Sequence, residues 1–305
     1  MFGIYWKIFF TNASVLVLLF LKLSNFLKKY IFIQQIFLGL ECFQFEHQFT
    51  PCNTTGPVGP NQIECDNYYG RGVVKINDEL FGYQVWTVPQ TGSYSITVGG
   101  AQGGSINQFG GEAKGKFGGK GVIISARFDL IQGEELFIAV GQEGGSHKRN
   151  NGYIAAGGGG GTFITKRKEL NSLTKEDILL IGGGGGGSCN GSGGYKCGPA
   201  GDGIATEDIA DNGAAKGGRD GYGGEGKTYS CGGSGFIGNG KGNKYIEEVS
   251  KSMTNGLTGG ISSSSLGVSG GFGGGGFGFA GAGYGGGGGG YRCCELIYFI
   301  YKNIF

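Results

Sequence analysis

The chain has 305 residues and a net charge of +2, with 72 glycines against only 5 prolines. Glycine makes up about 7% of an ordinary protein, so its excess here dominates the composition and rules out several classes. The glycines follow no strict Gly-x-y period, which excludes collagen; the near-neutral charge implies no polyelectrolyte partner; and the scarce arginines never form repeated Arg-Gly-Gly, which makes an RNA-binding tail of that type a poor reading.

Residues 1–42 carry two apolar stretches, Ile8–Leu23 and Tyr30–Leu40, separated by Asn25 and Lys28-Lys29. The second follows lysines, has the length of a signal-peptide apolar core and runs into Gly39-Leu40-Glu41-Cys42, so this region is read as a signal peptide. The rival is a signal anchor on the first stretch, where Asn12 and Lys22 make a marginal span. Either way the rest is expected to be secreted or on the extracellular face of the plasma membrane. The cysteines agree. Cys42, Cys52, Cys65, Cys189, Cys197, Cys231, Cys293 and Cys294 include no Cys-x-x-Cys pair, and His47 and His147 are the only histidines. A zinc site needs four such ligands at close spacing, so no metal is expected, and disulfides in an oxidising compartment explain the cysteines better. Asn53-Thr54-Thr55 and Asn190-Gly191-Ser192 are acceptor sequons, which makes Asn53 and Asn190 the expected glycosylation sites of a glycoprotein.

Residues 43–80 are polar and turn-rich, with bends at Gly56-Pro57 and Gly59-Pro60 inside the Cys52–Cys65 interval. A bridge between these two cysteines would close a short loop and stabilise it by about 3 kcal/mol; the competing reading pairs each of them elsewhere. From Phe81 to Ile181 the pattern is that of strands. In Ser93–Val98 the residues Tyr94, Ile96 and Val98 share one face, and Val122, Ile124, Ala126, Phe128 and Leu130 repeat the alternation. The turn Gln132-Gly133-Glu134 leads into Glu135–Val140, expected to be the hairpin partner of that second strand. Shorter strands are expected at Gln84–Val88, Thr162–Thr165 and Ile178–Ile181, and two helical turns at Tyr245–Met253. Period-two apolar residues with β-branched and aromatic enrichment predict an antiparallel sandwich.

Glycine runs at 157–161, 182–187, 273–276 and 285–290 interrupt this signal. Glycine inside regular structure costs about 0.5–1 kcal/mol relative to alanine, which leaves two outcomes: flexible, disordered material, or backbones packed together where no side chain fits. The position of the runs at strand ends suits the ordered array better. Gly221–Thr228 matches the phosphate-loop pattern G-x-x-x-x-G-K-[ST], but no strand precedes it and the glycines that follow cannot open a helix, so neither nucleotide nor any other cofactor is expected. His147 lies in the basic loop 146–149, a solvated position; the carboxylates form no catalytic pair; and Phe272, Phe277, Phe279, Tyr284 and Tyr291 are expected to pack between glycine segments rather than stack on bases.

The order of these blocks resembles one family. Cys52 to Cys65 with its two Gly-Pro bends, Gln84-Val85-Trp86-Thr87-Val88-Pro89, Thr91–Ile96, Phe137–Gly144, Gly157–Phe163, Ile178–Gly182 and Gly271–Gly276 are similar to the glycine-rich ectodomain of the anaplastic lymphoma kinase and leukocyte tyrosine kinase receptors. The resemblance covers roughly residues 48–291 and implies a mainly β fold: a tumour-necrosis-factor-like sandwich joined to packed polyglycine-II segments, within an extracellular domain at 43–291. It implies that Cys52 pairs with Cys65. It also implies binding of a secreted protein ligand, receptor dimerisation and signalling through a tyrosine kinase. No kinase signature is present in this chain, so any kinase, like a downstream spanning helix, would lie outside it. Residues 292–305 read unlike the rest, as in a truncated or mis-joined gene product. The alternative is a secreted, glycine-rich structural or matrix protein that self-associates.

Overall fold

The computed structural model describes residues 6–8, 46–150, 152–167, 169–190, 200–203, 218, 220–226, 229–242, 246–281 and 284–290. The leader reading (apart from Trp6–Ile8) and the tail at 292–305 therefore fall outside the described residues. Within them the chain is mainly β, and every paired strand is antiparallel.

The alternating segments form one sheet. Strand β1 (Trp6–Ile8) pairs with β4 (Gly92–Gly99), which pairs with β5 (Ile123–Leu130), setting Tyr94 opposite Phe128 and Ile96 opposite Ala126. The second sheet has the order β10 (Ile178–Gly182), β9 (Thr162–Lys166), β6 (Glu135–Ala139), β3 (Tyr83–Thr87), β2 (Lys75–Ile76). The expected β5–β6 hairpin does not form. β5 and β6 lie in different sheets, and the turn between them crosses from one to the other. That turn is pinned to the end of β3, because Val88 N–H donates to Glu134 O and Gly133 N–H to Val88 O. With the turn held there, the apolar faces of β5 and β6 meet across the core instead of pairing at their edges.

The two sheets share a core. Tyr94, Ile96, Val98, Ile124 and Leu130 of the first pack with Leu136, Ile138, Val140, Ile164 and Leu180 of the second. The second sheet is buried on its other face as well, where Tyr83, Val85, Phe137, Ala139, Phe163 and Ile181 meet Phe236, Met253, Leu257 and Phe272 from the glycine-rich part of the chain. That double burial explains why Leu136–Val140 and Ile178–Ile181 are unbroken apolar runs, while β5 alternates between buried and exposed positions.

Two local expectations are corrected. Ile246–Glu248 is a strand (β11) paired with Ile261–Ser262 (β12), and Met253–Asn255 is a single 3-10 turn, so the described residues 246–252 of the expected Tyr245–Met253 turns are not helical. The α-helix among the described residues is Gln62–Tyr69, which we call α1, inside the segment read as turns. Its start is a reciprocal cap: Asn61 Oδ1 accepts from Glu64 N–H at 3.0 Å and Glu64 Oε2 accepts from Asn61 N–H at 2.8 Å.

The glycine runs are ordered against one another. Successive amides of residues 157–161 donate to Gly145, Gly276, Gly185, Gln142 and Gly273. Three neighbouring segments are thus addressed in rotation, with every third amide returning to the same one. Residues 184–188 follow the same rule, donating in turn to Gly289, Ala101, Gly201, Gly286 and Gly104. A chain with three residues per turn and no internal hydrogen bonds presents its peptide groups in this way. Neighbours come so close that a β-carbon on Gly158, Gly159 or Gly160 would overlap the carbonyl of Gly287, Ala101 or Phe272 respectively.

Candidate functional site

The Cys52–Cys65 segment joins the two halves of the molecule. The disulfide forms, with Cα atoms 4.8 Å apart, and both cysteines are buried against Ile76. Between them the two Gly-Pro bends run as a strap along the glycine array: Phe272 N–H donates to Gly56 O and Gly259 N–H to Pro57 O, both at 2.7 Å, and Gly82 N–H donates to Pro60 O. The ring of Phe272 fills the space over Gly59 and Gly82, where no β-carbon would fit. Buried Gln142 ties the strap to the array from the other side, donating from Nε2 to Thr54 Oγ1 at 2.8 Å and to Val58 O at 3.3 Å.

The other sequence-predicted residues are dispersed. Asn53 is exposed at the strap's corner with φ 60°. Asn190 is only 4% exposed; its Oδ1 accepts from Ile154 N–H at 2.7 Å and its Nδ2 donates to Gly152 O at 3.0 Å, so a glycan on that nitrogen is incompatible with this packing. Cys189 is disulfide-bonded too, and Cys231 is a buried thiol beside Ser250. Two amides of the phosphate-loop match are committed elsewhere: Gly224 N–H donates to Gly233 O and Gly226 N–H to Lys241 O. Glu225 is ion-paired to Lys241 at 3.1 Å, and extended glycine segments rather than a helix follow. Phe272, Phe277 and Phe279 are buried within the array. His147 is exposed on strand β7 (Ser146–Lys148). His47 is half-buried with its ring 4.4 Å from that of Phe49, and this burial lowers its pKa below the ordinary 6.5. No cluster of three or more metal-ligating side chains occurs among the described residues, and none of their helices is long and apolar enough to cross a membrane.

No sequence pattern marks the groove found among the described residues. A groove of about 650 Å³ opens at the end of the second sheet, between the β2–β3 loop, β6 and the segment after β9. Leu80, Phe137 and Leu170 line it, Glu79, Glu135 and Glu169 stand around it, and Thr254 of the glycine-rich part contributes to one wall. Among the described residues that line it Arg167 is the cation, and that charge is already engaged: Nη1 lies 2.6 Å from Glu135 Oε2 and the guanidinium sits 5.8 Å from the centre of the Phe137 ring. Glu79 and Glu169 are left to give an apolar-floored groove a negative rim. Its residues come from four separate segments, and nothing in their individual spacing marks them as neighbours.

No family model matches the chain. Over 100 residues, 32% of its length, it is 37% identical to the leukocyte tyrosine kinase receptor of Mus musculus. The match spans 11% of that receptor, so the chain is similar to a small part of it.

Proposed function

We propose that this chain is a receptor-type extracellular fragment that binds a secreted protein ligand. The observation that carries the reading is the 37% identity to a stretch of the mouse receptor; the double-sheet core, the Cys52–Cys65 bridge and the groove are the physical features in keeping with it. In this reading the two sheets are the tumour-necrosis-factor-like sandwich of the family and the three-fold glycine lattice is its polyglycine-II bundle. The chain faces the outside of the cell, Asn53 carries the glycan, ligand binding brings receptors together, and the kinase belongs to sequence beyond these residues. The ligand sits on the groove, meeting Glu79 and Glu169 with its own cations and placing an apolar residue over Leu80, Phe137 and Leu170. Rim charges of this kind act mainly on association rate and partner choice.

The alternative, a self-associating matrix protein, is disfavoured because the amides of 157–161 and 184–188 are satisfied within one chain. Gel filtration and circular dichroism of the oxidised protein separate the two: a monodisperse β-rich species supports the receptor reading, and an insoluble or coil-like product favours the matrix. The binding claim is tested by capture from conditioned medium. Wild-type protein on beads should retain a secreted partner that the Glu79→Lys/Glu169→Lys variant, equally folded, retains at least about tenfold less. Equal capture by both removes the groove from the proposal, and no capture by either removes the ligand.

A further inference from the structure

Two basic residues follow one another at two places among the described residues, Lys148-Arg149 and Lys166-Arg167, and the fold treats them in opposite ways. Lys166 ends β9, an interior strand of the second sheet. Arg167 N–H donates to Glu135 O, and its guanidinium is held by Glu135 Oε2. Lys148-Arg149 stands at the tip of the hairpin formed by β7 and β8 (Ile154–Ala156), where His147, Lys148, Arg149 and Asn150 are all exposed. Neither cation of that pair is in an ion pair among the described residues.

The two strands of this hairpin are held unequally. All three residues of β8 are buried, and its backbone is tied on the far side: Ala156 N–H donates to Ser188 O, Asn190 N–H to Ile154 O and Ile154 N–H to Asn190 Oδ1. Asn190 Nδ2 also donates to Gly152 O, which anchors the chain just after the tip. β7 pairs with β8 over three residues and belongs to no larger sheet among the described residues. From the neighbouring loop it receives a bond from Gln108 Nε2 to Ser146 Oγ at 2.6 Å. Residues 146–150 can therefore lift away while β8 stays in place. A short ladder with little buried surface puts such an opening at the low end of the local-unfolding scale.

We propose that the Arg149–Asn150 peptide bond is a processing site for an endoprotease of paired-basic specificity, and that the product is a two-chain form of the same fold. Exposed polar loop tips are where nicking concentrates, and a protease of this class takes Arg149 through a carboxylate at the base of its specificity pocket. Lys148 supplies the second charge. Water adds across the amide, its hydroxyl to the Arg149 carbonyl carbon and its proton to the Asn150 nitrogen, leaving a carboxylate on one fragment and an amine on the other. The fragments stay together because β6 of the first lies beside β9 of the second, and because Gly157 N–H and Gly160 N–H donate across the cut to Gly145 O and Gln142 O. The choice of a protease of the secretory route rests on the extracellular reading above; the exposure of the bond does not.

The test digests the intact oxidised protein with a limiting amount of a subtilisin-type endoprotease of paired-basic specificity, and reads the fragments by reducing gel and by sequencing of the new amino terminus. Wild-type protein should give one early cut with a chain starting at Asn150, and the fragments should elute together from gel filtration without denaturant. Lys148→Gln/Arg149→Gln should slow that cut at least about a hundredfold, and Lys166→Gln should leave it unchanged. Gln108→Ala removes the side-chain bond onto β7 and should speed the cut about two- to tenfold, since cleavage follows the population of the open hairpin. Resistance of wild-type protein overturns the proposal, as does a first new terminus elsewhere or equal cutting of the double variant. Fragments that separate on gel filtration overturn the two-chain form, and a wild-type rate in Gln108→Ala overturns lifting of β7 as the opening step. No ligand enters the assay, so failure of the cut and failure of the groove are read apart.

Discussion

Gly160 and Gly201 differ in what surrounds the place a β-carbon would take. At Gly160 it would overlap the backbone carbonyl of Phe272, whereas at Gly201 nothing lies within 4 Å. Backbone cannot rotate aside as a flexible side chain can, so Gly160→Ala should destabilise by about 2–3 kcal/mol. Gly201→Ala should be neutral or gain up to about 1 kcal/mol, because alanine restricts the unfolded chain. Thermal melts of the two variants give the comparison, and equal melting temperatures would contradict tight packing of the array. A second residue sets a pH limit. Burial lowers the pKa of His47 in the folded chain, so the unfolded chain binds the proton more readily. Its contribution to stability is therefore complete above the ordinary 6.5 and is lost progressively as pH falls from there toward the lower folded value. Denaturant midpoints of wild type should drop across that window, and those of His47→Phe should drop less.

At the level of elements, helix α1 shows what a short polar segment needs in order to be ordered. It is eight residues long and, apart from Cys65, buries none of them fully, so packing contributes little and its cap and disulfide contribute much. Asn61→Ala should cost about 1 kcal/mol in equilibrium unfolding, and a cost indistinguishable from zero would mean that the Cys52–Cys65 bridge alone holds the helix. The Asn-x-x-Glu spacing is a helix-start signal, but it lies among two Gly-Pro bends in a polar segment that reads as turns. The strands were legible because their periodicity is set by burial, and β4 and β5 alternate where one face is open. Which strands pair was not legible. Ile123–Leu130 and Glu135–Ala139 look like a hairpin through a Gly133 turn, and only the bonds from that turn to Val88 send them to separate sheets. The groove was hidden for a related reason: Glu79, Glu135 and Glu169 become neighbours through sheet order, which no local pattern encodes. The order of the glycine runs could be argued only from their position after strands, since composition suits a loose tail equally well.

Over the whole molecule, the glycine array has little apolar core of its own and borrows one from the sheet. Phe236, Met253, Leu257 and Phe272 are buried on Tyr83, Phe137 and Phe163, and Tyr83 Oη donates to Met253 O at 2.7 Å. Hydrogen bonds between glycine segments contribute only about 1 kcal/mol each in net terms, while ordering each residue costs about 1–2 kcal/mol. The lattice therefore cannot persist without the apolar face beneath it. The sheet in turn would expose that face to water if the lattice came away. Both halves should unfold in one transition, with the amides of 157–161 as protected from hydrogen exchange as those of β6. Phe272→Ala should remove about 3–5 kcal/mol and lower protection in both regions together, because the Phe272 ring packs on the sheet and over Gly59 and Gly82 at once. Exchange mass spectrometry that found the glycine runs unprotected in wild-type protein while β6 stayed protected would show two independent units, and the strap at Gly56–Pro60 would then be a tether rather than a clamp.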